Sequence, residues 1–161
     1  MDSSTVRDYF AELYVAGKLA DAGWNVYFPH RDKGFDFVII KKSADRFIIR
    51  PVQVKGKYPT GDKTDKSTYG FVGKLSEVDP EMVLAIPYFS SEQVDSIPIC
   101  VAYAPLWLIK KHPRGHRCEP ATFKSGRPRP RRDHALFFDR PGLERLELED
   151  WSKLPVQEKG Q

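Results

Sequence analysis

The stretch GFDFVIIKKSADRFIIRPVQVK, residues 34–55, decides the reading of this chain. It predicts two β-strands, residues 35–41 and 47–55, joined by the polar turn Lys42-Ser43-Ala44-Asp45-Arg46. The first strand is almost wholly apolar, yet Asp36 lies within it. A carboxylate buried there needs a cation or strong donors, because burying it unpaired costs several kcal/mol. In the second strand the two-residue period puts Phe47, Ile49, Pro51, Gln53 and Lys55 on one face. A turn at Ala44-Asp45 makes directly opposed residue numbers sum to 89, so that Asp36 faces Gln53. Their Cβ atoms then lie roughly 5 Å apart. In that register a carboxylate, an amide oxygen and an ammonium converge on one patch.

A helix is expected upstream of this hairpin. Ser3-Ser4-Thr5 precedes a helical pattern, and Thr5 with Asp8 has capping-box spacing. Val6, Tyr9, Phe10, Leu13, Gly17 and Ala20 recur at the helical period and mark the expected apolar face. Gly23 is placed to close the helix at about Ala22 in a left-handed cap. Glu12 falls at the edge of the stripe, beside Tyr9 and Ala16. It is either solvated there or leans over a sheet edge towards Asp36. Residues 24–28 read as a strand broken at Pro29, followed by a charged turn containing His30.

An acidic residue on one strand, [Glu/Asp/Gln]-x-Lys on the next and a preceding helix that carries Glu resemble the PD-(D/E)XK nuclease superfamily. The elements here are Asp36, Gln53-Val54-Lys55 and Glu12. The Gln-for-Glu form is similar to Mrr-type restriction nucleases and some homing endonucleases of that superfamily. The likeness covers residues 5–55, and more loosely the β-rich stretch to about 105. It implies an α/β (α+β) fold with a restriction-endonuclease-like core, a central mixed sheet flanked by helices. It also implies a catalytic set of Glu12, Asp36, Gln53 and Lys55. Mg²⁺ or Mn²⁺ would be held by Asp36, Gln53 and Glu12, the last supplying a second carboxylate where Gln53 gives only an amide. A hard cation with oxygen ligands suits phosphodiester hydrolysis, which needs an activated water and relief of charge on the phosphorus. Lys55 would polarise the water or neutralise the phosphate.

After Lys55, residues 56–70 have loop composition, with Lys57, Lys63 and Lys66 interleaved with Tyr58 and Tyr69. They suit either a mobile connection or a strand-tracking nucleic-acid contact. Further strands are expected at residues 71–75, 82–89 and 97–104, with Cys100 in the core, then a short helix opened by Pro105. His112, His116 and Cys118 lack the spacing of a compact zinc finger. Residues 120–134 show no hydrophobic periodicity. Their Pro-Arg alternation suggests an extended basic loop that holds Arg127, Arg129, Arg131 and Arg132 apart for phosphate oxygens. A strand at 135–138 and a closing segment at 141–154 follow.

With 161 residues, 40% hydrophobic and 30% charged, the chain suits one globular domain spanning 1–161, with a basic loop at about 110–134. It shows neither a membrane-spanning run nor a signal-peptide pattern, and two unlike cysteine contexts suggest free thiols in the cytoplasm. The net charge of +4 conceals an asymmetry. Residues 109–140 carry ten Lys or Arg and three acids, a net of +7, which leaves the rest at −3. Such concentration is the footprint of a phosphate-backbone binder. The expectation is a metal-dependent DNA endonuclease, with DNA as its partner and a homodimer or higher homo-oligomer as a possible assembly. A catalytically lapsed nucleic-acid-binding module on the same fold, and an arginine loop meeting an acidic protein, are the alternatives.

Overall fold

A computed structural model describes residues 3–31, 34–59, 70–91 and 93–154, with side chains from Arg7 onward. Helix α1 (Ser3–Asp21) leads into β1 (Asn25–Tyr27), β2 (Phe37–Ser43) and β3 (Arg46–Val54). Then come β4 (Phe71–Gly73), β5 (Val83–Phe89), β6 (Pro98–Ala104), β7 (Ile109–His112) and β8 (Gly115–Cys118). The chain closes with β9 (Ala121–Lys124), β10 (Arg127–Pro130) and helix α2 (Asp139–Arg145). The fold is mixed α and β around a five-stranded sheet of order β1-β2-β3-β5-β6. All its pairings are antiparallel except β3 with β5.

The β2–β3 hairpin has the expected register, from Ser43↔Arg46 through to Phe37↔Val52. Ala44 turns the chain with φ 54°, a left-handed conformation that tightens the two-residue connection. On one face Phe37, Ile39, Val52 and Val54 join Val83, Ala85 and Tyr103 in a core cluster under α1. On the other, Leu84, Ile86, Tyr88, Cys100 and Ala102 form a second cluster with Val72, Cys118, Ala121 and Phe137. The central sheet is thus buried on both sides, by α1 and α2 on one and largely by small β-structures on the other.

The end of α1 follows the sequence, but its packed face does not. Trp24 N–H donates to Leu19 O at 3.1 Å and Gly23 N–H to Ala20 O at 3.0 Å, with Gly23 at φ 96°. This is a Schellman cap, fastened by the buried Leu19 and Trp24 side chains. The start lies upstream of the predicted capping box, so that Thr5 is inside the helix. The buried face is Ala11, Val15, Ala16 and Leu19, whereas Tyr9 (63%), Leu13 (43%) and Phe10 are exposed. Small and branched residues let the helix approach the sheet closely, and this outweighs the greater apolar area of the aromatic stripe.

The predicted basic loop is instead two hairpins, β7–β8 and β9–β10. Ser125 (φ 54°) and Gly126 (φ 73°) form a two-residue left-handed turn that fixes Arg127↔Lys124 and Arg129↔Thr122. Prolines 128 and 130 are accommodated because β10 pairs on one side only. In place of the strand expected at 135–138, residues 132–137 form a 3₁₀ turn, and Leu106–Leu108 after Pro105 is another. The closing segment packs as expected, with Leu146 and Trp151 buried. Arg50 holds it: Nε donates to Leu146 O (2.8 Å), Nη2 to Leu148 O (2.9 Å) and Nη1 to Glu81 (2.7 Å), beneath the Trp151 ring. Among the described residues no helix is long and apolar enough to cross a membrane.

Candidate active site

The regular ladder between β2 and β3 ends at Phe37↔Val52, one pair before Asp36 and Gln53. Asp36 steps out of register there. Its N–H donates to Val52 O at 3.0 Å, and its Oδ2 accepts the Val54 N–H at 2.6 Å. Both residues adjoining Gln53 are therefore bonded to Asp36, which brackets it across the strands. The short bond to Val54 is charge-assisted and holds the carboxylate in place. The expected Asp36–Gln53 ladder pair does not form, and the Asp36 carboxylate bonds instead to the residue after Gln53.

Gln53 opposes Leu84 of β5, a member of the second cluster, so its side chain lies on the face away from α1. It is 8% exposed, and its Oε1 has no hydrogen-bond partner among the described residues. A buried amide carbonyl without a donor costs on the order of 1–3 kcal/mol. Lys55 follows two residues on along the same face, half-buried, its N–H donated to Ala85 O at 2.9 Å.

Glu12 is on α1, over the opposite face of the sheet, half-buried beside Ala11, Val15 and Ala16. It belongs to the end of the molecule that holds Gln53 and Lys55. There Tyr58 Oη donates to Arg7 O at 3.3 Å, and Phe10 lies 6.2 Å from Phe89, ring to ring. The structure puts Gln53 and Lys55 on one face and bonds Asp36 to the backbone on either side of Gln53, with Glu12 across the sheet.

Beyond Lys55 the chain stays paired with β5, as Lys57 N–H donates to Pro87 O and Phe89 N–H to Lys57 O. Lys57 Nζ donates to the carbonyl of Phe71 in β4. Burial, then the charges of Arg117 and Lys55, push its ammonium down to about 8. Lys63 and Lys66 lie outside the described residues. Arg127 and Arg129 project from β10 into solvent on either side of the buried Pro128, and Arg132 is exposed. Arg131 is held by Glu119, its Nε donating to the backbone oxygen at 2.7 Å and its Nη2 lying 3.3 Å from the carboxylate. This basic hairpin covers the same sheet face as Gln53 through the Phe123 and Tyr88 rings, 5.7 Å apart.

Two cations that sequence reading did not single out, Arg117 and Lys110, oppose each other on β8 and β7. The signal for them was the turn Pro113-Arg114 followed by Gly115, which folds that segment back as a hairpin. His112 Nδ1 accepts from Arg114 N–H at 3.2 Å and His116 Nδ1 from Leu75 N–H at 3.1 Å. Cys118 is buried, its thiol pushed up to about 12 by burial, and Cys100 likewise. Both cysteines are free.

Among the described residues no three His, Cys, Asp or Glu side chains gather as a metal site. The oxygen-bearing residues on the adjoining ends of β2 and β3 are Asp36 and Gln53, Asp36 being bonded to the backbone on either side of Gln53. Such a set fits a hard divalent cation that keeps several waters, because one anionic oxygen and a neutral one leave most positions to solvent and substrate. No protein-family model matches this chain, and no curated protein or solved structure is significantly similar to it.

Proposed function

We propose that this protein is a metal-dependent DNA endonuclease of the PD-(D/E)XK type, hydrolysing phosphodiester bonds. The observation that carries the reading is the buried Gln53, its Oε1 without a donor among the described residues and both its backbone neighbours bonded to Asp36. A helix, an antiparallel meander and a mixed sheet, in that order, support the restriction-endonuclease-like form of the fold.

Asp36 and Gln53 would hold Mg²⁺ or Mn²⁺, whereas Glu12, over the opposite face of the sheet, stands apart from that pair. When bound, the metal would lower the pKa of a water and offset charge on the phosphate. The chain's own residues do the remainder. The Val54 N–H fixes the orientation of the Asp36 carboxylate, so little reorganisation is needed on binding. Lys55, on the Gln53 face, orients the attacking water and neutralises a non-bridging phosphate oxygen. Arg127, Arg129 and Arg132, exposed around the β9–β10 hairpin, position the phosphate backbone over that face.

The test is cleavage of supercoiled plasmid with Mg²⁺ or Mn²⁺ and with EDTA, wild type beside Asp36→Ala. Metal-dependent nicking that disappears in the variant is the expected result. Nicking that persists in Asp36→Ala would remove this site from the mechanism. The rival reading is a lapsed site that only binds nucleic acid. It draws on the amide at Gln53, which provides one negative charge fewer than a carboxylate. Salt-sensitive DNA binding without cleavage under any metal would favour it.

A further inference from the structure

Helix α1 carries two apolar faces, and the sheet takes only one of them. Ala11, Val15, Ala16 and Leu19 pack in the core, whereas Tyr9, Phe10, Leu13, Gly17 and Ala20 are exposed. At the helical period the second set shares a strip about 100° wide that points away from the sheet. Ile97 and Ile99, also exposed, extend it on one flank. Arg7 ties that flank to α1, Nη1 donating to Val94 O at 2.9 Å and Nη2 to Ser96 Oγ at 2.7 Å, with its guanidinium over the Phe10 ring. Ile99 lines a groove with Tyr14 and Lys18 of α1. Taken at roughly 200 Å² for a large apolar residue, Tyr9, Phe10, Leu13, Ile97 and Ile99 leave about 500 Å² in water. Two copies of that surface amount to about 1,000 Å², the area that a specific interface has to reach.

Gly17 indicates what covers the strip. Glycine inside a helix is destabilising relative to alanine. Nothing among the described residues calls for it here. Gly17 lies mid-helix, outside the left-handed conformations, and a Cβ there would meet nothing within 4 Å. A notch at such a position fits a second backbone that approaches closely. The order of sizes along the strip selects which one. The large Tyr9 and Phe10 stand in its first half, the small Gly17 and Ala20 in its second, and Leu13 between them. Laid antiparallel about a two-fold axis close to Leu13, two copies of α1 set Phe10 against Gly17 and Tyr9 against Ala20, in both directions. Opposed helix dipoles favour the same orientation. A parallel pairing would set aromatic against aromatic. We propose that this strip is the interface of a homodimer formed by antiparallel α1 helices. The dimer does not depend on the nuclease reading.

The test is sedimentation equilibrium of the full-length protein, with thermal melts followed by circular dichroism. Concentrations from about 0.1 to 100 μM bracket a micromolar dissociation constant. Wild type is expected to pass from monomer to dimer mass over that range. Gly17→Leu fills the notch. Because the space at its Cβ is open, the variant should melt no lower than wild type, yet its dimer should be about ten- to a hundredfold weaker. Ala20→Tyr sets tyrosine against tyrosine and weakens the dimer likewise. Tyr9→Ala combined with Ala20→Tyr exchanges large for small and should restore the wild-type constant, a rescue that only antiparallel copies provide. Monomer mass throughout overturns the proposal and leaves the strip to a different partner. A dimer indifferent to Gly17→Leu and Ala20→Tyr also overturns it, because association then uses another surface.

Discussion

The Val54 N–H donates to Asp36 Oδ2 at 2.6 Å, so the β-strand that carries Gln53 also pins the carboxylate beside it. One bond thereby serves both the hairpin's end and the proposed metal site, and substitutions can separate the two. Asp36→Asn keeps an acceptor for the Val54 N–H and loses only the charge. It is expected to unfold within about 1 kcal/mol of wild type, whereas Asp36→Ala loses on the order of 1–2 kcal/mol. Both should abolish metal-dependent nicking. Urea denaturation beside the plasmid assay checks this; nicking by a well-folded Asp36→Asn would show that the carboxylate's role is structural.

Gln53 predicts an opposition between stability and activity. Its Oε1 is buried and without a donor among the described residues, so an apolar side chain of similar shape removes a penalty. Gln53→Met should raise unfolding free energy by about 1 kcal/mol and eliminate cleavage. Gln53→Glu should be less stable than wild type in EDTA, because it buries a charge, and should recover with Mg²⁺. Thermal melts of the three proteins with and without Mg²⁺ decide it. A Gln53→Glu protein indifferent to the metal would count against a cation at this position.

The hairpin that holds the site was legible from its turn. A connection at Ala44-Asp45 sets the register, and the structure then buries Phe37, Ile39, Val52 and Val54 on one face, which a one-residue slip would expose. The helix face was not legible, since Tyr9, Phe10 and Leu13 compete at the same period with Ala11, Val15 and Leu19. Sequence ranks the larger side chains first, while close packing on a sheet favours the smaller. The Pro-Arg stretch hid a strand because proline usually argues against one. The Ser125-Gly126 turn was the overlooked cue. The step of Asp36 out of register could not be read at all, because it depends on a side chain replacing a ladder contact.

Arg50 is a stability determinant remote from the proposed chemistry. It is 3% exposed and donates to the Leu146 and Leu148 carbonyls, while Glu81, its ionic partner, stays in solvent. Removal therefore strands two backbone acceptors and leaves no buried counter-charge. Arg50→Ala should cost about 3 kcal/mol and loosen residues 146–151 in particular. Hydrogen exchange would show faster exchange at Trp151 and Leu148 N–H groups than in the β2–β3 hairpin. Uniform loss of protection would mean that the closing segment unfolds with the core and not ahead of it.

The depressed Lys57 ammonium gives a pH signature with a definite sign. Its folded value is about 8 against 10.5 for an ordinary lysine, with burial the largest cause. Below pH 8 both states hold the proton, and the cost of the buried charge is fully present. Between about 8 and 10.5 the unfolded chain binds more protons than the folded one, so this group makes stability rise with pH. Lys57→Met carries no such proton. It should therefore be the more stable protein near pH 7, with its advantage shrinking as pH rises through 8 and beyond. Taking the difference between the two cancels the contributions of other titrating groups, including Tyr103, whose hydroxyl burial pushes in the opposite sense. Urea denaturation of both proteins from pH 7 to 10 measures that difference. A gap independent of pH would mean that Lys57 reaches solvent more fully than its contact with Phe71 implies.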